Sequence, residues 1–181
     1  MRPDSTEYAS FYAGYVKLVP ETDAIDALER QLTDVLGLLR QVPESEGNVR
    51  HPPYTWSVKE VVGHITDGER VFSYRAMRFA RNDPTPLPTF DENAYVRAAG
   101  FDACKLQDLT DQFEHVRRAS LSLFRSMDKE AWLRRGVASG AEVTVRALAY
   151  VIVGHTRHHL LILRKRLGAA RPIDKSSSGK C

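Results

Sequence analysis

The stretch Ala149-Tyr150-Val151-Ile152-Val153-Gly154-His155-Thr156-Arg157-His158-His159-Leu160 decides how this chain is read. Three of the six histidines lie here, inside a run with helical spacing. His155 and His159 are four apart, so on a helix they share one face, a turn from each other. Val145, Leu148, Ile152 and Leu163 continue that face as an apolar, core-facing stripe. Two imidazoles on such a stripe need partners, because a buried polar group left unpaired is costly. A bound metal ion would satisfy them, and so would hydrogen bonds within the core. Periodicity alone does not choose between the two.

Working outward, Thr144 is placed to cap this helix, which is expected to run to about Leu167 and stop at Gly168. Arg164, Lys165 and Arg166 suit its negative end. Upstream, Val137 and Val143 flank a glycine turn, so a short hairpin fits residues 135 to 143. The rest of 127–142, with Trp132, reads as turns. A helix is expected from about Cys104 to Ser126, with Leu106, Leu109, Phe113, Val116, Leu123 and Phe124 inward and His115 facing solvent. Residues 82–100 read as a loop carrying Pro84, Pro86 and Pro88, either a lid over a site or a plain crossover.

Before that loop, Ser57 and Glu60 form a capping box for a helix running to about Arg81, where Asn82-Asp83-Pro84 stops it. Val61, Ile65, Phe72, Ala76 and Phe79 mark its inner side, and His64 shares that side. Gly68, one turn on, costs about 1 kcal/mol of helix stability against Ala. It either leaves room beside the His64 imidazole or serves a close helix contact. The first helix is capped at Thr22 or Asp23, carries Ile25, Leu28, Leu32, Val35, Leu36 and Leu39, and ends before Pro43. Residues 1–21 suit a short helix or a strap over the core. The pattern is all-α: a four-helix bundle with one long crossover, in a single domain of residues 1–170 with a flexible tail at 171–181.

Composition narrows the function. The 181 residues are 43% apolar and 27% charged, with a net charge of +3 and mixed signs throughout. That bias is too weak to argue for nucleic acid or a membrane surface as partner. No stretch has a signal-peptide layout or transmembrane length, so a cytoplasmic protein acting on a small molecule is expected. Cys104 and Cys181 are too few and too far apart for a disulfide framework or a short metal motif, and both read as free thiols.

A bundle brings inner faces together, so His64 on the second helix can meet His155 and His159 on the fourth. Three imidazoles on one side of a divalent ion leave positions open for substrate, unlike the four protein ligands that close a structural zinc site. Nitrogen ligands suit zinc, nickel, iron or copper. His158 points roughly 60° away from His155 in projection, which suits an outer role. His51 lies in the entry loop and could reach the rim. Asp67 and Glu69 are candidates to orient a ligand or accept a proton, or are ordinary surface charges.

The segment Trp56-Ser57-Val58-Lys59-Glu60-Val61-Val62-Gly63-His64-Ile65-Thr66-Asp67-Gly68-Glu69-Arg70, followed by Gly154-His155-Thr156-Arg157-His158-His159, resembles the DinB-like (DinB/YfiT) superfamily of metal-dependent enzymes. The likeness spans about residues 22 to 167. It implies an up-down-down-up four-helix bundle, a metal site carried by His64, His155 and His159, and a homodimer. Zinc and nickel lead among the ions it implies. Relatives include S-transferases using bacillithiol or mycothiol and a mycothiol-dependent maleylpyruvate isomerase. The expected function is therefore metal-dependent transfer of a low-molecular-weight thiol to a small electrophile, with Phe90 and Tyr95 of the 84–95 loop shaping the substrate pocket. Two alternatives stand beside it: metal-dependent hydrolysis, and a non-enzymatic, stress-related metal- or ligand-binding bundle.

Overall fold

The computed structural model describes residues 1–170, and the side chains of residues 1–168. The expected tail at 171–181, with Cys181, lies outside the described residues. Four long helices make the bundle: α2 (Ala24–Leu39), α3 (Val58–Ala80), α5 (Leu106–Arg125) and α7 (Val145–Ala170). Shorter pieces join them: α1 (Ala13–Lys17), α4 (Glu92–Ala99), α6 (Lys129–Leu133), and the strands β1 (Arg135–Ala138) and β2 (Ala141–Thr144). Among the described residues, no helix is long and apolar enough to cross a membrane.

The helix starts follow local chemistry. Asp23 caps α2 by accepting from the backbone N–H of Ile25 and Asp26. Ser57 and Glu60 close the expected capping box on α3. The β1–β2 hairpin turns at Ser139 and Gly140, both with positive φ (55° and 78°), as a two-residue hairpin turn demands. Thr144, the last hairpin residue, accepts from the N–H of Ala147 at 3.0 Å and so caps α7.

The helix directions can be read from polar pairs. Ser57, at the start of α3, donates to Asp102, just before α5, so α3 and α5 run parallel. Arg134, before α7, reaches the carbonyl of Ala80 at the end of α3, and Arg166, late in α7, reaches that of Trp56, so α3 and α7 are antiparallel. Arg40 pairs with Glu114, and Arg125 with Glu29, so α2 and α5 are antiparallel. The order is up-down-down-up. Helices α2 and α3 each pack on both α5 and α7, which places consecutive α2 and α3 on a diagonal.

The core falls into two apolar clusters. One contains Leu28, Phe72, Phe124, Leu148 and Val153; the other contains Leu32, Ile65, Phe113, Leu160 and Leu163. Between them lies a polar layer with one residue from each long helix: Gln31, Glu69, Arg117 and Thr156, all buried. Arg117 donates to both Glu69 carboxylate oxygens (2.8 and 3.0 Å), to the Leu28 carbonyl (3.1 Å), to Gln31 Oε1 (3.0 Å) and to Thr156 Oγ1 (3.3 Å). Gln31 donates onward to the Val153 carbonyl at 2.8 Å. Each polar group removed from water is thereby paired, which is the condition for tolerating it there.

The N-terminal segment is the strap expected among its two readings, and it includes one short helix. It runs through two 3₁₀ turns into α1, which docks on α7. A Cβ on Gly154 would collide with the backbone carbonyl of Tyr15, so only glycine permits this approach. Buried Glu7 fastens the strap by accepting from Thr144 (2.8 Å) and pairing with Arg146.

Four boundaries differ from the sequence expectation. Residues 82–100 are not all loop, because α4 forms there, capped by Asp91 and ended by Gly100 in the left-handed conformation. The stretch 127–142 also holds α6, capped by Asp128. Helix α5 begins at Leu106, since Cys104 belongs to the preceding turn. Helix α7 continues through Gly168, which costs a helix stability without ending it.

Candidate metal centre

His64 lies two turns into α3, and His155 and His159 lie one turn apart on α7. Because the two helices are antiparallel neighbours, the three imidazoles converge. Their ligand nitrogens all lie within 4.8 Å of one another. His64 Nε2 and His155 Nε2 are 2.9 Å apart, and the ring centroids are 4.7–4.8 Å apart. Two nitrogens each about 2.05 Å from a tetrahedral ion stand roughly 3.3 Å apart, so this spacing suits one shared ion with little movement. His64 and His155 are buried and His159 is half-buried.

The neighbours leave these rings to each other. Among the described residues, no carboxylate hydrogen-bonds any of the three. Trp56 lies tilted against His64 at 4.7 Å, and Tyr15 and Phe72 meet His155 edge-on at 5.4 and 5.8 Å. Gly68 is what admits the His155 ring: a Cβ there would stand 2.8 Å from His155 Cε1. The space at this glycine is taken by the His155 ring from α7, a close contact between helices, and not by His64.

Burial holds His64 down at about 4, with Glu92 and Asp67 pulling weakly upward and His158 downward. His159 is held at about 3 by burial, then by repulsion from His64 and His158. Burial, and then the other three histidines, hold His155 well below the ordinary histidine range. The imidazoles are therefore neutral near pH 7, with lone pairs available to an ion. A stability prediction follows for the metal-free protein. In the unfolded chain these histidines take up protons near pH 6.5, while the folded chain refuses them. Stability should be level above about pH 7 and fall as pH drops from about 6.5 toward 4. His64 alone accounts for a loss on the order of 3 kcal/mol. Urea unfolding at pH 8, 6 and 5 measures the slope. His64→Gln should reduce it by about a third, one of three histidines held neutral, and an unchanged slope would refute the assignment.

The triad faces a cavity of about 460 Å³. Phe90 lines it, together with Tyr12, Tyr15, Arg75 and Glu92. Tyr95, expected to shape the same pocket, does not line it. It is exposed, with its ring 5.5 Å from that of Phe90, because α4 turns it outward. His158 is exposed at the rim, 5.8 Å from the Tyr15 ring, and is not among the converging nitrogens. His51 stands beside Glu46 at 3.2 Å and does not line the cavity. Glu69 is not available to the histidines, because Arg117 holds it within the bundle. Asp67 pairs with Arg70 at 2.9 Å. The sequence reading passed over Arg75, Arg117 and Glu92. Arg117 had a signal, since it sits at i+4 from Phe113 and i−4 from Leu121 on an apolar stripe. Arg75 and Glu92 had none.

Residues 27–163 match the family model of the DinB superfamily. This chain belongs to the DinB superfamily. None of the curated proteins matches it. Among solved structures, this DinB-superfamily chain is similar to YfiT from Bacillus subtilis, described as "a probable metal-dependent hydrolase with an unusual four-helix bundle topology". The two share 14% identity with a TM-score of 0.68, over 93% of this chain and 94% of YfiT. It is also similar to the mycothiol-dependent maleylpyruvate isomerase, at 15% identity and a TM-score of 0.66. That likeness covers 84% of this chain but 62% of the isomerase. At these identities the likeness is one of fold.

Proposed function

We propose that this DinB-superfamily chain is a metal-dependent enzyme that transfers a low-molecular-weight thiol to a small electrophile. The observation that carries the reading is the one-sided cluster of His64, His155 and His159 opening on a cavity of small-molecule size. These three residues would hold zinc or nickel, and Phe90 would contact the substrate. When bound, the ion supplies Lewis acidity that lowers the pKa of a thiol or water it coordinates. In the transfer, the thiol gives up its proton, its sulfur bonds to the electrophilic carbon, and the leaving group departs with the bonding electrons. Glu92, a carboxylate in the cavity lining, would accept the proton.

Hydrolysis is the second reading, and Glu92 also favours it, because a base facing the cavity can activate water. The two separate cleanly. Metal-loaded protein given bacillithiol, mycothiol or glutathione with a chlorinated aromatic acceptor should release chloride only when thiol is present. Turnover of esters or phosphoesters without thiol, and none with it, would replace transfer by hydrolysis. Glu92→Gln should lower kcat by roughly a hundredfold in whichever reaction is found.

A further inference from the structure

Arg75 is only 2% exposed and lines the same cavity as the histidines. It donates to Tyr12 Oη at 3.2 Å, the Pro88 carbonyl at 2.7 Å and Ser139 Oγ at 3.1 Å. Its guanidinium carbon lies 6.0 and 5.8 Å from the rings of Phe72 and Phe90. All of these partners are neutral. Arg117, Arg146 and Arg157 each hold a carboxylate, whereas no carboxylate among the described residues pairs with Arg75. Arg166 shares that condition but lies away from the cavity, against two backbone carbonyls. A buried cation without a counter-charge is costly. Three bonds also leave two of the five guanidinium N–H groups unclaimed by protein.

We propose that Arg75 is an anion-binding residue that takes the carboxylate of a small molecule whose reacting group reaches His64, His155 and His159. The dimensions fit. Arg75 lies 6.0 Å from the Phe72 ring and that ring lies 5.8 Å from His155, so the two ends are within about 12 Å. Phe72, Phe90 and Tyr12 provide an apolar middle between them. Glu92, the cavity's acidic member, is not among the groups that Arg75 bonds. Pro88 and Ser139 take both Nη2 hydrogens, so the free N–H groups are those on Nε and Nη1, which share no edge, and the carboxylate is taken through a single charge-assisted bond. The carboxylate can belong to the electrophile or to the thiol. Calling the anion a reactant rests on the enzymatic reading above; the anion site itself does not.

The test uses the full chain, metal-free, at pH 8. Trp56 lines the cavity and reports binding by fluorescence, while the other tryptophan, Trp132, packs on Phe124 elsewhere. Phenylacetate should bind at least about tenfold more tightly than its neutral isostere phenylacetamide, the worth of one charge-assisted pair. Arg75→Gln should abolish the preference and Arg75→Lys should keep part of it. Equal affinities in the unaltered protein would overturn the proposal even if neither variant folds, and so would a preference that survives in Arg75→Gln. If no metal binds but the preference stands, the enzymatic reading fails and the anion site remains. In the metal-loaded protein, 4-chloro-3-nitrobenzoate is compared with its amide, and N-acetylcysteine with cysteamine. A carboxylate preference in the first pair assigns the anion to the electrophile, and in the second to the thiol. Turnover with a preference in neither overturns the proposal.

Discussion

Replacing Arg117 by alanine is expected to destabilise the fold by about 3–5 kcal/mol, the cost of leaving a buried charge without its partner. Glu69 is 1% exposed and has no water to turn to. Gln31 and Thr156 lose a donor in the same change. Against a typical stability of about 5–15 kcal/mol, this is a large fraction. At this chain length it should lower Tm by roughly 10–15 °C. A double variant separates the pair from the packing. Arg117→Met with Glu69→Leu removes both charges and should recover much of the loss. A single variant within about 1 kcal/mol of the unaltered protein would show that the pair contributes little. Thermal unfolding of the three proteins side by side decides it.

The second large effect concerns the ion. Purified protein loaded with zinc or nickel and dialysed is expected to retain about one ion per chain. His155→Ala should reduce that to near zero, with affinity weakened by at least about a hundredfold, because a three-ligand site loses a ligand. His155 suits this test for a reason that Arg117 does not share. It is neutral and has no carboxylate partner, so its removal strands no buried charge. The variant should fold, and its circular dichroism should match the parent. His158→Ala should retain the ion, since that ring faces the rim. Elemental analysis of the three proteins is sufficient. Equal retention by His155→Ala and the parent would remove these histidines from any metal site.

Much of the bundle was legible because its signals are local. The Ser57–Glu60 box, the apolar spacing of α2, α3, α5 and α7, and the Ser139-Gly140 turn each declare themselves within a few residues. The convergence of His64 with His155 and His159 was legible at one remove, from shared inner faces. The short helices were not. Val96 is the only buried residue of α4 and Ala131 the only one of α6, so neither offers a periodicity to read, though Asp91 and Asp128 stood as caps. Gly168 misled because a glycine ends a helix only when its backbone turns left-handed. The partners of Arg117 lie on three other helices, and those of Arg75 on the strap, the 81–91 loop and the hairpin. No local rule foretells such meetings.

The polar layer also has a bearing on how the helices find their heights. Leucine and valine faces interlock almost as well after sliding by one turn, about 5.4 Å, as before it. Arg117 does not. Shifted by one turn, α5 would bring its guanidinium to the level of Ala27 or Val35, both buried and apolar, with Glu69 left without its partner. The layer thus works as a vertical key that penalises misaligned bundles, and it sits at the level where α7 must stop for His155 to meet His64.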